Sequence, residues 1–465
     1  MNAVVKAVLR VCLLLVLAPG ASSLWGADEP PNVLLIIADD LNGYGFFDGY
    51  PGTLTPALDA LKASSVVFEH AYAAAPLGEA SRAAFFSGIY PHRSGAYRNG
   101  ADSWGEAFSV FESMPERFHR DGYTTFGAGR VPEIDNPQAW DQVVFSGGYE
   151  PFPGQGDLLA GGGDRSWGVK PWFGPDSDFP DTVNADALIE FLQHGGEKPF
   201  FAVYGLWRPH PPFTAPRRFF DRYAPDTLEP PPGYREGDVY DIPDGARRLL
   251  TARGSRWLRS GKFHPDKWRR VLHGYLAATS FADWNIGRVL AALDETPHAA
   301  NTIVVFWSDN GLHLGEKNHF GKATPWEPAL RTPAAIRLPG NVNNGRVVQQ
   351  PVSAVDFYPT LADYCGLGPA NPLRDGLSLR PLLERPDTRW RRPAISTFGV
   401  DRFSANDGRY RYIRYADGGQ ELYDLRSDPH EFINLAEKPD SRYIIGKFRQ
   451  WIPQRYAPDL GGRDG

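Results

Sequence analysis

PNVLLIIADD (Pro31–Asp40) is an unbroken apolar run closed by two aspartates. It lacks the polar/apolar alternation of a half-exposed strand, so it reads as a strand buried on both faces, as in a parallel sheet. TIVVFWSDNG (Thr302–Gly311) has the same form and ends in Ser-Asp-Asn. KPFFAVYGLWRPHPPF (Lys198–Phe213) is a third buried strand that runs into a proline-rich loop, and GYTTFGAGR (Gly122–Arg130) is a shorter one. Helical stretches lie between them. TPALDALKASSVVFEHAYA (Thr55–Ala73) starts with Thr-Pro and ends in a strand-like piece; DTVNADALIEFLQHGG (Asp181–Gly196) stops at glycines; HGYLAATSFADWNIGRVLAALDE (His273–Glu295) is long and amphipathic. Alternating strands and helices predict an α/β fold, a mostly parallel sheet flanked by helices. Ligands of such sheets bind outside the carboxyl ends of the strands. The carboxylates of "ADD" and "SDN" fall at that edge.

The texture changes after about Gly366. RPAISTFG (Arg392–Gly399) and RYRYIRYADGGQELYDL (Arg409–Leu425) read as antiparallel strands with Asp-Gly-Gly as a hairpin turn. A last helix, RYIIGKFRQWI (Arg442–Ile452), would pack on that small sheet. The expected division is a leader over 1–27, a main domain over 28–365 and a small antiparallel subdomain over 366–465. Residues 132–181 and 217–262 are long Gly-, Pro- and Trp-rich insertions, expected to shape a binding pocket.

The leader reads as a secretory signal. Lys6 and Arg10 precede VCLLLVLA (Val11–Ala18), and small residues follow near Ser23. That apolar run is short of the ~20 residues that span a bilayer. The mature chain is therefore expected to be exported, periplasmic or secreted, with no membrane segment after cleavage. Cys12 lies in the leader, which leaves Cys365 without an internal disulfide partner. Cys365 closes an amphipathic helix and reads as a buried, inert thiol. Lys and Arg total 49 against 55 Asp and Glu, and no long basic run occurs; nucleic acid is excluded as a partner on that ground.

Asp39, Asp40, Asp309 and Asn310 offer three carboxylates and an amide oxygen, donors suited to a hard divalent cation. No Cys/His cluster accompanies them, which argues against zinc. On spacing alone, adjacent acids at a strand end also read as helix caps or solvated loop residues.

PNVLLIIADDL (Pro31–Leu41), GEASRAAFFSGIYPHRSG (Gly78–Gly95), PFFAVYGLWRPHPPF (Pro199–Phe213), WSDNGLHLGEKNHFGK (Trp307–Lys322) and ELYDLRSDPHEFINLA (Glu421–Ala436) occur in an order that resembles the sulfatase family of the alkaline phosphatase superfamily, most like its iduronate-2-sulfatase-like branch. The resemblance covers nearly all of the mature chain. It implies an alkaline-phosphatase-like fold with Ca2+, or Mg2+, held by Asp39, Asp40, Asp309 and Asn310, and a sulfated carbohydrate or other sulfate ester as substrate. The family nucleophile is a formylglycine made from Cys or Ser at the head of a Cys/Ser-x-Pro/Ala-x-Arg motif. Here that motif reads Gly78-Glu79-Ala80-Ser81-Arg82, and glycine has nothing to oxidise, so no formylglycine is expected. Arg82 matches the arginine that holds the formylglycine hydrate. The family's Gly-Lys-x-x-His reads Gly129-Arg130-Val131-Pro132-Glu133: Arg130 keeps the charge without a lysine's proton chemistry, and Glu133 is expected to bring a negative charge toward the substrate. His210 matches the histidine at the leaving oxygen, and Lys322 the lysine on the sulfate. Glu79 and Ser81 are weak substitutes for the nucleophile, because neighbouring loop residues do not share its side-chain direction. His313, His319 and Glu316 lie in the Lys322 loop with no assigned role. Three readings follow: a sulfuric ester hydrolase by family, with direct hydrolysis of a sulfate or phosphate ester by a metal-activated water as its route without a nucleophile; a non-catalytic sulfated-glycan-binding pseudoenzyme, with some of the 13 tryptophans facing sugar rings; and a structural partner of an active relative.

Overall fold

The structure is a computed structural model. It describes residues 29–460 apart from 48–49, 101–107, 109, 155–156, 158–166, 197, 254–264 and 369–372. The expected leader, 1–27, lies outside the described residues, as do parts of both insertions.

An eight-stranded sheet organises the chain. Its strands are β1 (Asn32–Asp39), β2 (Val66–Phe68), β3 (Thr124–Gly129), β4 (Gln142–Val144), β5 (Phe200–Pro209), β6 (Thr302–Ser308), β7 (Ala334–Arg337) and β8 (Val347–Val348), in the order β8-β2-β7-β6-β1-β5-β3-β4. β1 pairs in parallel with β5 and β6, and β5 with β3; β7 runs antiparallel to both of its neighbours. The expected mostly parallel sheet is present. The unbroken apolar run of β1 has its anticipated cause: Val33, Leu35 and Ile37 enter the core on one face, while Leu34, Ile36 and Ala38 enter the core on the other.

Helices α1 (Pro56–Ala63), α3 (Pro180–His194) and α4 (Pro265–Asp294) cover the second face, through residues such as Leu58, Leu188 and Ile286. Helices α2 (Gly78–Ser87) and α5 (Phe357–Tyr364) cover the first through Phe85, Phe86, Phe357 and Leu361. Phe85 stacks on Trp307 of β6, with ring centroids 4.3 Å apart. In α2 only Glu79 escapes burial, so this helix is held on all sides.

The four-stranded antiparallel sheet β9 (Ala394–Thr397), β10 (Phe403–Asn406), β11 (Tyr410–Arg414) and β12 (Gln420–Asp424) follows, with the expected Asp-Gly-Gly turn between β11 and β12. Helix α6 (Ser441–Phe448) packs on it, Phe448 stacking on Tyr412 at 5.7 Å. Phe403, Tyr412 and Phe448 belong to the same core as Val33 and Phe85, so one face of the small sheet is fused to the first face of the large one, while Ile413, Tyr415 and Tyr423 form a separate cluster with Ile242 and Trp326. Cys365 is buried in the same core as Val33 and Phe85, and burial pushes its thiol up to about 12, in line with an inert role. Among the described residues no helix is long and apolar enough to cross a membrane.

Candidate active site

Four neighbouring strands end side by side, and each delivers a polar residue to the carboxyl edge: Asp39 as the last residue of β1 with Asp40 after it, Asp309 and Asn310 after β6, His210 after β5 and Arg130 after β3. The backbone there is tightly fixed. Asp40 takes φ 62, a left-handed conformation that Asp tolerates better than most residues. Its N–H donates to Asp309 Oδ1 at 3.1 Å, which also accepts from Asn310 N at 2.8 Å. The Ser308 hydroxyl accepts from Leu41 N at 3.0 Å and donates to the Asn310 carbonyl at 3.1 Å. Tyr275 of α4 accepts from Asn42 N at 2.8 Å and donates to the Asp40 carbonyl at 2.9 Å. At the end of β3, Arg130 N donates to Gly205 O at 2.8 Å. A Cβ on Gly129, whose φ is 78, would lie 2.2 Å from that oxygen, and one on Gly205 would lie 2.1 Å from the Arg130 carbonyl. Two glycines are what let Arg130 approach β5.

Three basic side chains face the three carboxylates. Arg82, on α2, donates from Nε to Asp309 Oδ2 at 2.8 Å with both side chains fully buried. It also donates from Nη1 to the Arg130 carbonyl at 2.8 Å. Arg130 Nη1 pairs with Asp39 Oδ2 and lies 3.8 Å from Asp309 Oδ2. Lys322 pairs with Asp40 Oδ1, which also accepts from Asn310 Nδ2 at 2.6 Å. His210 Nε2 is 3.7 Å from Asp40 Oδ2, and its Nδ1 meets the Pro211 carbonyl. The expected residues thus converge, with Arg82 and Arg130 bonded directly to two of the acids.

Buried polar atoms are normally satisfied, so orphans point to a missing partner. Asp39 Oδ1, Asp40 Oδ2, Asn310 Oδ1 and Arg82 Nη2 are buried with no hydrogen-bond partner among the described residues. Asp39, Asp40 and His210 can each bring a ligand atom within 4.8 Å of the others. Three unsatisfied oxygens at one strand edge fit a hard divalent cation. Asp309 differs from its three partners, because both of its oxygens already accept hydrogen bonds.

The charges shape each other. Burial opposes ionisation of Asp39, but Arg130, His210, Lys322 and Arg82 outweigh it and hold this carboxyl well below the usual range. Burial pushes Asp40 up to about 7; Lys322 opposes the rise while Asp39 and Asp309 add to it. Burial, with help from Lys322 and Arg130, pushes His210 down to about 3, so its imidazole is neutral at neutral pH.

Gly78 opens α2 beside this cluster. An ideal Cβ on it would point at Asp309 Oδ2, 2.8 Å away, with Arg130 Nη2 and Nη1 at 3.3 and 3.4 Å. The direction in which a nucleophile would project therefore leads straight into the site, and a carboxylate and a guanidinium border that space. The neighbours do not replace it. The Glu79 carboxylate accepts from Gly100 N, and Ser81 is fully buried with a hydroxyl that has no hydrogen-bond partner among the described residues. Glu133 departs from expectation: its side chain meets Asn136 at 3.1 Å and the Ser113 region, which turns its charge away from the strand edge. His313 and His319 are buried in the fold of their own loop, His313 bridging Glu316 O and Thr324 Oγ1 at 3.0 and 2.7 Å. Glu316 binds the Tyr44 hydroxyl and Leu314 N.

Tyr149 and Trp207 are site residues that sequence reasoning missed. Tyr149 donates to Asp39 Oδ2 at 3.1 Å and stacks on His210 at 4.2 Å. Trp207 packs edge-on to Tyr149 at 4.9 Å and lies under Arg130 at 5.7 Å. Buried Arg208 brings Tyr149 there, donating to the carbonyls of Tyr149 and Glu150 at 3.0 Å each. Trp207 was legible by its place three residues before His210; Tyr149 lies in an aperiodic insertion that carries no such signal.

Residues 31–367 match the family model described as Sulfatase, and residues 315–456 match that of the N-sulphoglucosamine sulphohydrolase C-terminal region. The chain is 32% identical to a sulfatase of Formosa agariphila over 456 residues, covering 92% of this chain and 87% of that protein. It is 26% identical to the iduronate 2-sulfatase of Homo sapiens, covering 88% and 78%. Among solved structures, a 2-O GAG sulfatase superposes with a TM-score of 0.70 at 21% identity over 91% of each chain. The phosphonate monoester hydrolase of Agrobacterium radiobacter superposes with a TM-score of 0.70 at 23% identity over 90% and 94%. The extent of the family match and the 32% identity over most of both chains make this chain a member of the sulfatase family.

Proposed function

We propose that this chain acts on a sulfate ester of a glycan at the carboxyl edge of the sheet, with no covalent sulfo-enzyme, so that hydrolysis proceeds by direct attack of water. The observation that carries this reading is the coincidence of unsatisfied acidic oxygens and basic groups around a position with no side chain, Gly78. Asp39, Asp40 and Asn310 would hold Ca2+, or Mg2+ in its place, with Asp309 as a fourth donor shared with Arg82. When bound, the cation polarises an oxygen of the ester sulfate. It also tips a balanced set of three acids and three bases toward net positive charge, which favours a sulfate monoester. Arg82, through its unpartnered Nη2, and Lys322 would bind sulfate oxygens by charge-assisted hydrogen bonds. His210 donates from Nδ1 to Pro211 O in the tautomer that satisfies that carbonyl, which leaves a lone pair on Nε2. Held down to about 3, that nitrogen accepts a hydrogen bond from the attacking water and orients it rather than keeping its proton, which passes to the departing ester oxygen as the S–O bond breaks. Tyr149 keeps the imidazole flat against its ring. We also propose that the chain is exported by cleavage of 1–27; an intact N-terminus by mass spectrometry of the natural protein would contradict this.

A second reading is recognition without turnover. It is favoured by Arg130, whose guanidinium stands beside the missing Cβ and is anchored on Asp39. Both readings need the cation. Calorimetric titration with a sulfated disaccharide is expected to show binding in Ca2+ or Mg2+ that is lost in chelator and in Asp39→Asn; binding indifferent to chelator would overturn the shared site.

A further inference from the structure

Beside Gly78 lies a second concavity of about 240 Å³, lined by Leu77, Arg98, Ala323, Phe398 and Arg402 among others. Leu77 adjoins Gly78, and Ala323 adjoins Lys322. The two walls are tied by Ala323 N donating to Pro76 O at 2.9 Å. Two of its lining residues are thus the chain neighbours of site residues, its other wall comes from the β9–β10 turn of the small sheet, and Asp459 also lines it.

The charges of its two arginines differ. Arg98 pairs with Asp459 at 2.7 Å, so its charge is already answered. Arg402 is half-buried and has no hydrogen bond or ion pair from its side chain among the described residues. Its guanidinium lies over Gly399, where a Cβ would stand 3.2 Å from Arg402 Cδ and 3.4 Å from Nη1. The turn is pinned beneath it by Arg402 N donating to Gly399 O at 3.2 Å. A guanidinium so placed, with its fork unanswered, is a ready partner for a carboxylate or sulfate. The space holds about one sugar ring, with Phe398 as an apolar wall.

We propose that this cavity is an anion-reading subsite: Arg402 binds a second anionic substituent, a sulfate or a uronate carboxylate, on the glycan whose sulfate ester occupies the strand-edge site. The substrate class is then a polyanionic glycan rather than a singly sulfated neutral one. This rests on the strand-edge site binding a sulfate ester, as proposed above.

The test is calorimetry in Ca2+ with three probes: a monosulfated neutral monosaccharide, a disulfated disaccharide, and a monosulfated disaccharide carrying a uronate. The natural chain is expected to bind both dianionic probes at least about tenfold more tightly than the neutral sugar sulfate. Arg402→Gln is expected to collapse that ratio toward one, while Arg346→Gln, a remote surface charge change, preserves it. Collapse for one dianionic probe alone identifies the substituent that Arg402 reads. A ratio near one in the natural chain, or one preserved in Arg402→Gln, overturns the subsite while leaving the strand-edge site standing. Absence of binding by every probe overturns both. Arginine-selective labelling by phenylglyoxal gives a readout independent of affinity: Arg402 is expected to be protected by a dianionic probe and not by the neutral sugar sulfate, and equal labelling in both would contradict the subsite.

Discussion

Replacing Gly78 by alanine adds one methyl group where the site has least room for it. The new Cβ would meet Asp309 Oδ2 at 2.8 Å and Arg130 Nη2 at 3.3 Å, so the carboxylate has to retreat by roughly half an ångström to reach ordinary contact. That oxygen is held by Arg82 Nε at 2.8 Å in a fully buried pair. Hydrogen bonds to charged groups contribute about 1.5–3 kcal/mol, and overpacking a fixed site costs about 1–3 kcal/mol. Against this, Ala is favoured over Gly in a helix by up to about 1 kcal/mol, and less in a first turn. The expected net effect is a destabilisation of about 1–2 kcal/mol. Urea unfolding of both proteins in chelator, followed by tryptophan fluorescence, measures it without interference from metal linkage. A neutral or stabilised Gly78→Ala would mean instead that position 78 faces open space and that Arg130 and Asp309 do not border it.

Gly78→Cys, coexpressed with a formylglycine-generating enzyme, is expected to gain no sulfatase turnover, since Arg130 and Asp309 crowd the new side chain; robust turnover would show that they yield. Tyr149→Ala is expected to weaken binding of a sulfated disaccharide about tenfold while Tyr149→Phe keeps most of it, because the ring stacked on His210 survives in the second; equal losses would contradict a positioning role for the ring. Asp283 accepts from Leu58 N at 2.8 Å and Ala57 N at 3.2 Å at the head of α1, and burial pushes its carboxyl up to about 6. A folded pKa above the unfolded value of about 3.9 means the contribution is fully present below pH 4 and is lost as pH rises through 6. Relative to Asp283→Asn, the natural chain should lose about 3 kcal/mol between those limits, read from urea midpoints across pH; a flat difference or one rising with pH would refute it.

The strands that carry the acids were legible because β1 and β6 are buried on both faces, which forces a near-continuous apolar run, and each run stops where the carboxylates begin. Asp39, Asp40, Asp309 and Asn310 could be placed at one edge for that reason, whereas His210 and Arg130 came only through the resemblance. Which groups pair across the edge was not legible, because it depends on strand order. That order sets β3 and β6 on either side of the β1–β5 pair and brings Arg130 to Asp39. Glu133 shows the limit from the other side. Its place in the sequence pointed it at the substrate, while its backbone takes φ 52 and its carboxylate turns to Asn136. Tyr149 enters through carbonyl contacts with buried Arg208, a tertiary bond with no local pattern. Position 78 was readable only through the resemblance, which supplies the motif whose head it occupies.

The measurement that bears most directly on the central claim is sulfate release from a panel of sulfated glycans by the natural chain in Ca2+ and in Mg2+, with Asp309→Ala run beside it. Release is expected to require the cation, to disappear in Asp309→Ala and to leave no sulfated enzyme detectable by intact mass during turnover. A sulfated enzyme during turnover, or glycan binding with no release in either cation, would contradict the claim.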